Sequence, residues 1–147
     1  MDERTLMERS AGARLGLLAN SFAKATGRPL APGGDIWSSS AAIVAHDTQD
    51  PPRFFYGNAT ALALFRMSAA HFISLPSHES AESALRAERA AMLARLEADD
   101  VVTGYHGVRI ASDGTRFRIR DAVIWNLRDA NGQRHGQAAW FDQWELL

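Results

Sequence analysis

The spacing of apolar and polar residues changes period several times along the chain. From Glu3 to Ala25 it is helical, with Leu15, Leu18, Phe22 and Ala25 on one face. Gly12 and Gly16 weaken the first half of that helix, Gly27 stops it, and Pro29 prevents its resumption. RPLAPGGDIWSSS is a loop by its Pro, Gly and Ser content, with Trp37 expected to plug the core. AAIVAHDT and RFFYGN read as two strands joined through QDPP. Strict alternation in the second strand puts Phe54 and Tyr56 on one face and Phe55 on the other.

At Asn58 the period returns to helical. Its side-chain oxygen suits the free backbone N–H groups of a first turn, so ATALALFRM is predicted to be a helix capped by Asn58, with Leu62 and Phe65 facing inward. Ser68 does the same for AAHFISL, which ends at Pro76. SAESALRAERAAMLARLEADD carries an apolar stripe of Leu85, Met92 and Leu96, and its Arg and Glu residues form a solvated face. The remainder is β: VVTGYHGVRI, TRFRIRDAVIWNL and RHGQAAWFDQW, separated by Asp113-Gly114 and Asn131-Gly132, which are hairpin signals.

Composition narrows the picture. The chain has 147 residues, enough for one domain, and 46% of them are hydrophobic. The formal net charge of −1 gives no field directed at nucleic acid. Without cysteine, disulfides, thiolate metal sites and Cys nucleophiles are excluded. The N-terminus lacks an apolar signal core and no window is long enough to span a membrane, so a cytoplasmic protein without membrane contact is expected.

The element order, with YGNATALALF at the end of the second strand, MSAAHF after it and a closing three-strand meander over residues 101–144, resembles a PAS domain. More narrowly, AIVAHDT, FFYGNATALALF, LPSHESAE, ERAAMLARL, YHGVRIASDGTRFRI, IWNL and HGQAA resemble the MEKHLA domain. That PAS-like family occurs as short stand-alone bacterial proteins, the type this chain is similar to, and at the C-terminus of plant class III homeodomain-leucine zipper proteins. The resemblance implies a sensory or regulatory ligand-binding module but names no ligand, cofactor or reaction. DNA binding in the plant proteins belongs to other domains and does not transfer. The related flavin-binding light sensors use a reactive Cys, which this chain lacks. The related haem sensors use a His on the long helix, and His71 and His78 both precede it, so haem is not expected.

Hairpin arithmetic gives candidate chemistry. A two-residue turn at Asp113-Gly114 sets Ile110 opposite Phe117, Val108 opposite Ile119 and His106 opposite Asp121, on a mostly apolar face. Arg109, opposite Arg118, then lies with Arg116 and Arg120 on a wet, basic face suited to a partner protein. The same count about Asn131-Gly132 sets Trp125 opposite Ala138, Val123 opposite Trp140 and Asp121 opposite Asp142. His106, Asp121 and Asp142 thereby form a polar row across three strands. Three readings stay open: a bulge or frayed end leaves the row solvated; it forms the polar wall of a pocket in which the acids hold His106 protonated; or it is a two-carboxylate, one-His metal site.

Other candidates are weaker. His46 and Asp47 are strand neighbours on opposite faces and make no dyad, so His46 reads as a strand-end polar residue. Ser77, His78 and Glu79 are consecutive, which does not give triad geometry. Gly33-Gly34 lacks phosphate-loop spacing.

The expectation is an α/β (α+β) PAS-like fold: a five-stranded antiparallel sheet with helices over one face, plus an N-terminal helix. The division is residues 1–27 for that helix and 28–147 for the domain. A small molecule is expected between the sheet and the helices, near His106, Asp121, Asp142, Tyr56, Phe65, Leu62, Leu85 and Trp125, with no catalytic or metal-binding residue assigned. Alternatives are an interaction module in which Leu15, Leu18 and Phe22 pair two chains as a homodimer or bind a partner protein, and a metal-dependent enzyme built on His106, Asp121 and Asp142.

Overall fold

The computed structural model describes residues 1–81 and 86–147, and of Arg86 only the backbone. Leu85 therefore lies outside the described residues. Five strands run in the order β2-β1-β5-β4-β3, all antiparallel: β1 Ala42–His46, β2 Phe54–Gly57, β3 Val101–Ile110, β4 Arg116–Arg128 and β5 Arg134–Phe141. A short β6, Gln143–Leu146, pairs with β4 beyond the end of β5. It keeps the register of β5: Val123 faces Trp140 and Arg120 faces Gln143. The final strand expected from RHGQAAWFDQW is thus broken once, at Asp142.

The N-terminal segment is two helices, α1 Glu3–Ala11 and α2 Arg14–Thr26. Asp2 caps the first by accepting from Thr5 N–H at 2.7 Å. Gly12 ends it at φ 56°, a left-handed conformation strained for any residue with a side chain. The bend lets both helices lie on the sheet, α1 against β2 and α2 against β4. Leu18 and Phe22 are fully buried, with Phe22 packed edge-on against Trp125 at 4.8 Å between ring centroids. Ser21 fixes α2 through hydrogen bonds with the backbone N–H and carbonyl of Arg128. Two of the residues expected to pair two chains are therefore occupied by the chain's own sheet. Helices cover both faces of the sheet, because the apolar side of α2 meets the apolar outward side of β4.

The other helices, α3 Ala59–Phe65, α4 Ala69–Phe72 and α5 Arg86–Asp99, cover the opposite, inner face; a 3₁₀ turn at Ser77–Ser80 precedes α5. Asn58 is wholly buried and uses its whole amide. Its oxygen accepts from Ala61 N–H at 3.1 Å and from Ile43 N–H at 3.0 Å. Its nitrogen donates to the carbonyls of Ile36 and Ala41. It is the predicted cap and also the joint between β1, the preceding loop and α3. Ser68 caps α4 as expected. Met92 and Leu96 of α5 are buried. At the corner into β3, Asn126 of β4 donates to the Leu96 carbonyl and to Asp100.

A candidate ligand cavity

Where the candidate side chains point depends mainly on three of the sheet's irregularities, each one residue in size. The first is the β3–β4 loop. Ala111 N–H bonds to the Thr115 carbonyl at 2.8 Å, which closes a three-residue loop with Gly114 at φ 87° rather than the two-residue turn expected. Arg109 consequently faces Phe117 and Gly107 faces Ile119. A one-residue slip moves a side chain to the other face. Arg109 thus leaves the basic outer row and joins the inner face.

The second irregularity is a bulge at Asp121. Gly107 pairs with Ile119 but Tyr105 with Ala122, so Arg120 and Asp121 together oppose His106. Asp121 has φ 52°. Alternation restarts beyond it: Ile119, Ala122 and Ile124 line the inner cavity, while Trp125 packs outward on Phe22. The third lies between β1 and β2, where Tyr56 faces Ala45 but Phe54 faces His46. Because Ala45 and His46 are neighbours, Tyr56 and Phe54 point to opposite faces. Phe54 stacks on Phe72 beneath the inner helices. The Tyr56 phenol lies on the α1 side, where burial and Glu8 raise its pKa and its oxygen has no hydrogen-bond partner.

Between the inner face and α5 lies a cavity of about 50 Å³. At roughly 10–15 Å³ per water, it has room for a molecule of a few non-hydrogen atoms. Most of its wall is apolar, from Val44, Phe54, Phe65, Met92, Leu93, Ile119, Ile124 and Phe141. Its polar lining is His46, Ser80, Arg89, Tyr105, Arg109 and Gln137. A wider groove of about 380 Å³ adjoins it, and His46, Leu93 and Gln137 border both.

Arg89 reaches this cavity from α5. The residue as a whole is half-buried, but its guanidinium is largely enclosed. Desolvation, then repulsion from Arg109, lowers its pKa to about 10, so it remains a cation at neutral pH. It donates to the Ser77 hydroxyl at 3.1 Å, and its buried Nε has no partner. Arg109 donates to the Tyr105 hydroxyl at 3.3 Å and to the Val108 carbonyl. His46 is pushed down to about 4 by burial, with Arg89 and Arg134 adding to the effect, so the ring is neutral. Its Nδ1 lies 2.9 Å from the Asp47 carbonyl. A carbonyl only accepts, so Nδ1 carries the proton and Nε2 is left as an acceptor.

Of the residues expected at a ligand site, Phe65 lines the cavity. Leu62 is buried and borders a separate shallow depression with Trp37 and Met67. Tyr56 and Trp125 belong to the outer side for the reasons given. His106 and Asp121 are brought together, with the Asp121 N–H donating to His106 Nδ1 at 3.3 Å and the Asp121 carboxylate 3.9 Å from Nε2. Both side chains are more than half exposed, at 54% and 63%. Asp142 is exposed at the β5–β6 break. The three-residue loop puts His106 on the outer side, Asp121 sits in the bulge and Asp142 at the strand break, so this row lies in solvent and is not the wall of a pocket. Among the described residues no three His, Asp or Glu side chains are arranged to hold a metal ion. The cavity residues that sequence reasoning missed include His46, read as a strand end, Arg89, read as solvated, and Arg109, read as outward, along with Ser80, Tyr105 and Gln137. The alternation of β1 places His46 on the same face as Val44, and that was the available signal.

The profile of the MEKHLA domain matches residues 13–146. No curated protein matches the sequence. Among solved structures, the PAS domain of a Colwellia psychrerythraea protein superposes with a TM-score of 0.61 at 17% identity, covering 76% of this chain and 89% of that one. A fungal LOV-domain photoreceptor gives 0.60 at 20% identity, covering 94% of each. The light-state dimer of the fungal blue-light photoreceptor Vivid gives 0.62 at 15%, covering 87% and 92%. These likenesses establish the fold. A flavin does not fit the residues present: the free volume of about 50 Å³ is far below the roughly 300–1,000 Å³ of sites that enclose molecules of that size. The absence of cysteine from the sequence also removes the thiol that a Cys-based photoreaction would use. Haem is larger still, and neither His71 nor His78 lines the cavity.

Proposed function

The chain belongs to the MEKHLA domain family, and from that premise we propose that it is a sensory or regulatory module that binds a small molecule between the inner face of its PAS-like sheet and α5. One observation carries this reading: the Arg89 guanidinium is enclosed beside a cavity, charged, and incompletely hydrogen-bonded. A buried charge without compensation costs several kcal/mol in order-of-magnitude terms, and a fold optimised only for packing has no use for it. A ligand that completes its bonding supplies one. The cavity and the adjoining groove share His46, Leu93 and Gln137, so a rotation of these side chains would join the two. Occupancy would be read out through α5, whose Met92 and Leu96 pack on the sheet and whose end is tied to β4 through Asn126.

The test is native mass spectrometry of protein purified without denaturation, followed by organic extraction. A mass excess that disappears on unfolding, with the released compound identified, supports the reading. An apoprotein that also gains nothing from a library of small metabolites overturns it and leaves the interaction module as the better reading. Pairing of two chains through Leu15, Leu18 and Phe22 would require α2 to leave β4.

A further inference from the structure

We propose that the cavity takes a short-chain monocarboxylate, its carboxylate held by Arg89 and its carbon chain laid against Met92, Leu93, Ile119 and Ile124. This rests on the reading of the cavity as a ligand site and adds the chemistry of the ligand.

Charge sets the first requirement. Among the described residues, Arg89 has the Ser77 hydroxyl as its hydrogen-bond acceptor and no carboxylate against it. Arg109 is close enough to repel it. The neutral His46 ring adds no compensating charge. Among the described residues the local charge is therefore positive, in a chain whose overall charge is −1. A planar carboxylate matches the fork of a guanidinium and can complete the unmet Nε bond.

Size and lining set the rest. A cavity of about 50 Å³ excludes nucleotides and dinucleotide cofactors and suits molecules of roughly three to five non-hydrogen atoms, such as acetate and propionate, with the adjoining groove available to the end of a chain as long as butyrate. An inorganic oxyanion would satisfy the charge but would set oxygens against the side chains of Met92, Ile119 and Ile124, where they find no donors. An amphipathic anion satisfies both ends.

The experiment measures thermal unfolding of the whole chain with sodium propionate, butyrate, phosphate and nitrate, each against sodium chloride of equal ionic strength. At a hundredfold excess over Kd, propionate or butyrate is expected to raise Tm by roughly 5 to 10 °C, and phosphate and nitrate by less. Arg89→Met keeps the apolar stem and removes the charge. It is expected to leave the ligand-free Tm unchanged or higher and to weaken carboxylate binding at least about tenfold. Arg89→Lys, which retains the cation, should keep part of the response and serves if the methionine variant fails to fold. The proposal is overturned if no carboxylate exceeds the chloride control, if phosphate or nitrate exceeds the carboxylates, or if Arg89→Met keeps full carboxylate affinity. A retained neutral molecule in native mass spectra, with no carboxylate response, would overturn the carboxylate and leave the sensory reading standing.

Discussion

The two faces of the sheet are both covered by helices, but they are finished differently. On the outer face, α1 and α2 bring Met7, Leu18 and Phe22 onto the sheet, and Trp125 meets Phe22 ring to edge. The exposed Arg28 sets its guanidinium over the rings of both Phe22 and Trp140. Among the described residues, the atoms left unpaired on this side, Tyr56 Oη and Trp125 Nε1, belong to neutral groups. On the inner face, Asn126 Oδ1 is an unpaired neutral atom, but Arg89 Nε is on a cation, and a cavity lies beside it. A neutral orphan costs about 1–3 kcal/mol and a charged one more. The outer face is built for stability, and the inner face gives up stability at a place where something can bind.

The sharpest way to break that contrast is to cut the outer face. Phe22→Ala removes a fully buried ring and should cost about 3–5 kcal/mol in urea unfolding. A loss below about 1 kcal/mol would mean that α2 is only loosely attached. The second test concerns the inner face and acid. His46 is neutral in the fold, with a pKa of about 4, and titrates near 6.5 when unfolded. Between those values the unfolded chain binds the extra proton, so stability rises with pH. The His46 contribution is complete above about pH 6.5 and is lost as pH falls toward 4, to a total of about 3 kcal/mol. His46→Phe should flatten that part of the profile; denaturant midpoints at pH 6.5 and 4.5 measure it.

Two smaller effects sharpen the comparison. Ser21→Ala strips the hydroxyl that serves Arg128 N–H and should cost about 1–2 kcal/mol, again by urea unfolding. Glu145→Ala removes ion pairs to Arg118 and Arg120 whose side chains are all close to half exposed. It should leave the urea midpoint nearly unchanged, and any shift should shrink further at high salt.

The layers and the family were legible in the sequence, whereas the side chains of the cavity were not. Asn58 and Ser68 announced their helices because capping is local chemistry, confined to a few residues. In β4–β5, Trp125 does pair with Ala138 and Val123 with Trp140, but only because a one-residue shift at Leu127/Arg128 offsets a three-residue loop where Asn131-Gly132 signalled a two-residue turn. The face each side chain occupies is a different matter, since a single extra residue reverses it. The three-residue loop at Asp113 brought Arg109 inside, the bulge at Asp121 sent Trp125 out, and the irregularity opposite Phe54 sent Tyr56 out. Bulges of this kind are set by how neighbouring strands fit the twisted sheet, and alternation read along one strand does not contain that information. Arg89 shows the same limit on a helix: its neighbours Glu88 and Ala90 are exposed, and only the tertiary fold shows that the side chain between them turns under toward Ser77.

The contrast between the faces is tested most directly by NMR titration of the whole chain with a panel of small carboxylates and small neutral solutes. Arg89 Nε–H and the Gln137 side-chain amide report on the inner face, and the Trp125 indole N–H reports on the outer. The account predicts that whichever solute binds moves the Arg89 and Gln137 signals at the same midpoint and leaves Trp125 in place. Shifts centred on Trp125 with Arg89 unmoved, or no saturable shift from any member of the panel, would contradict it.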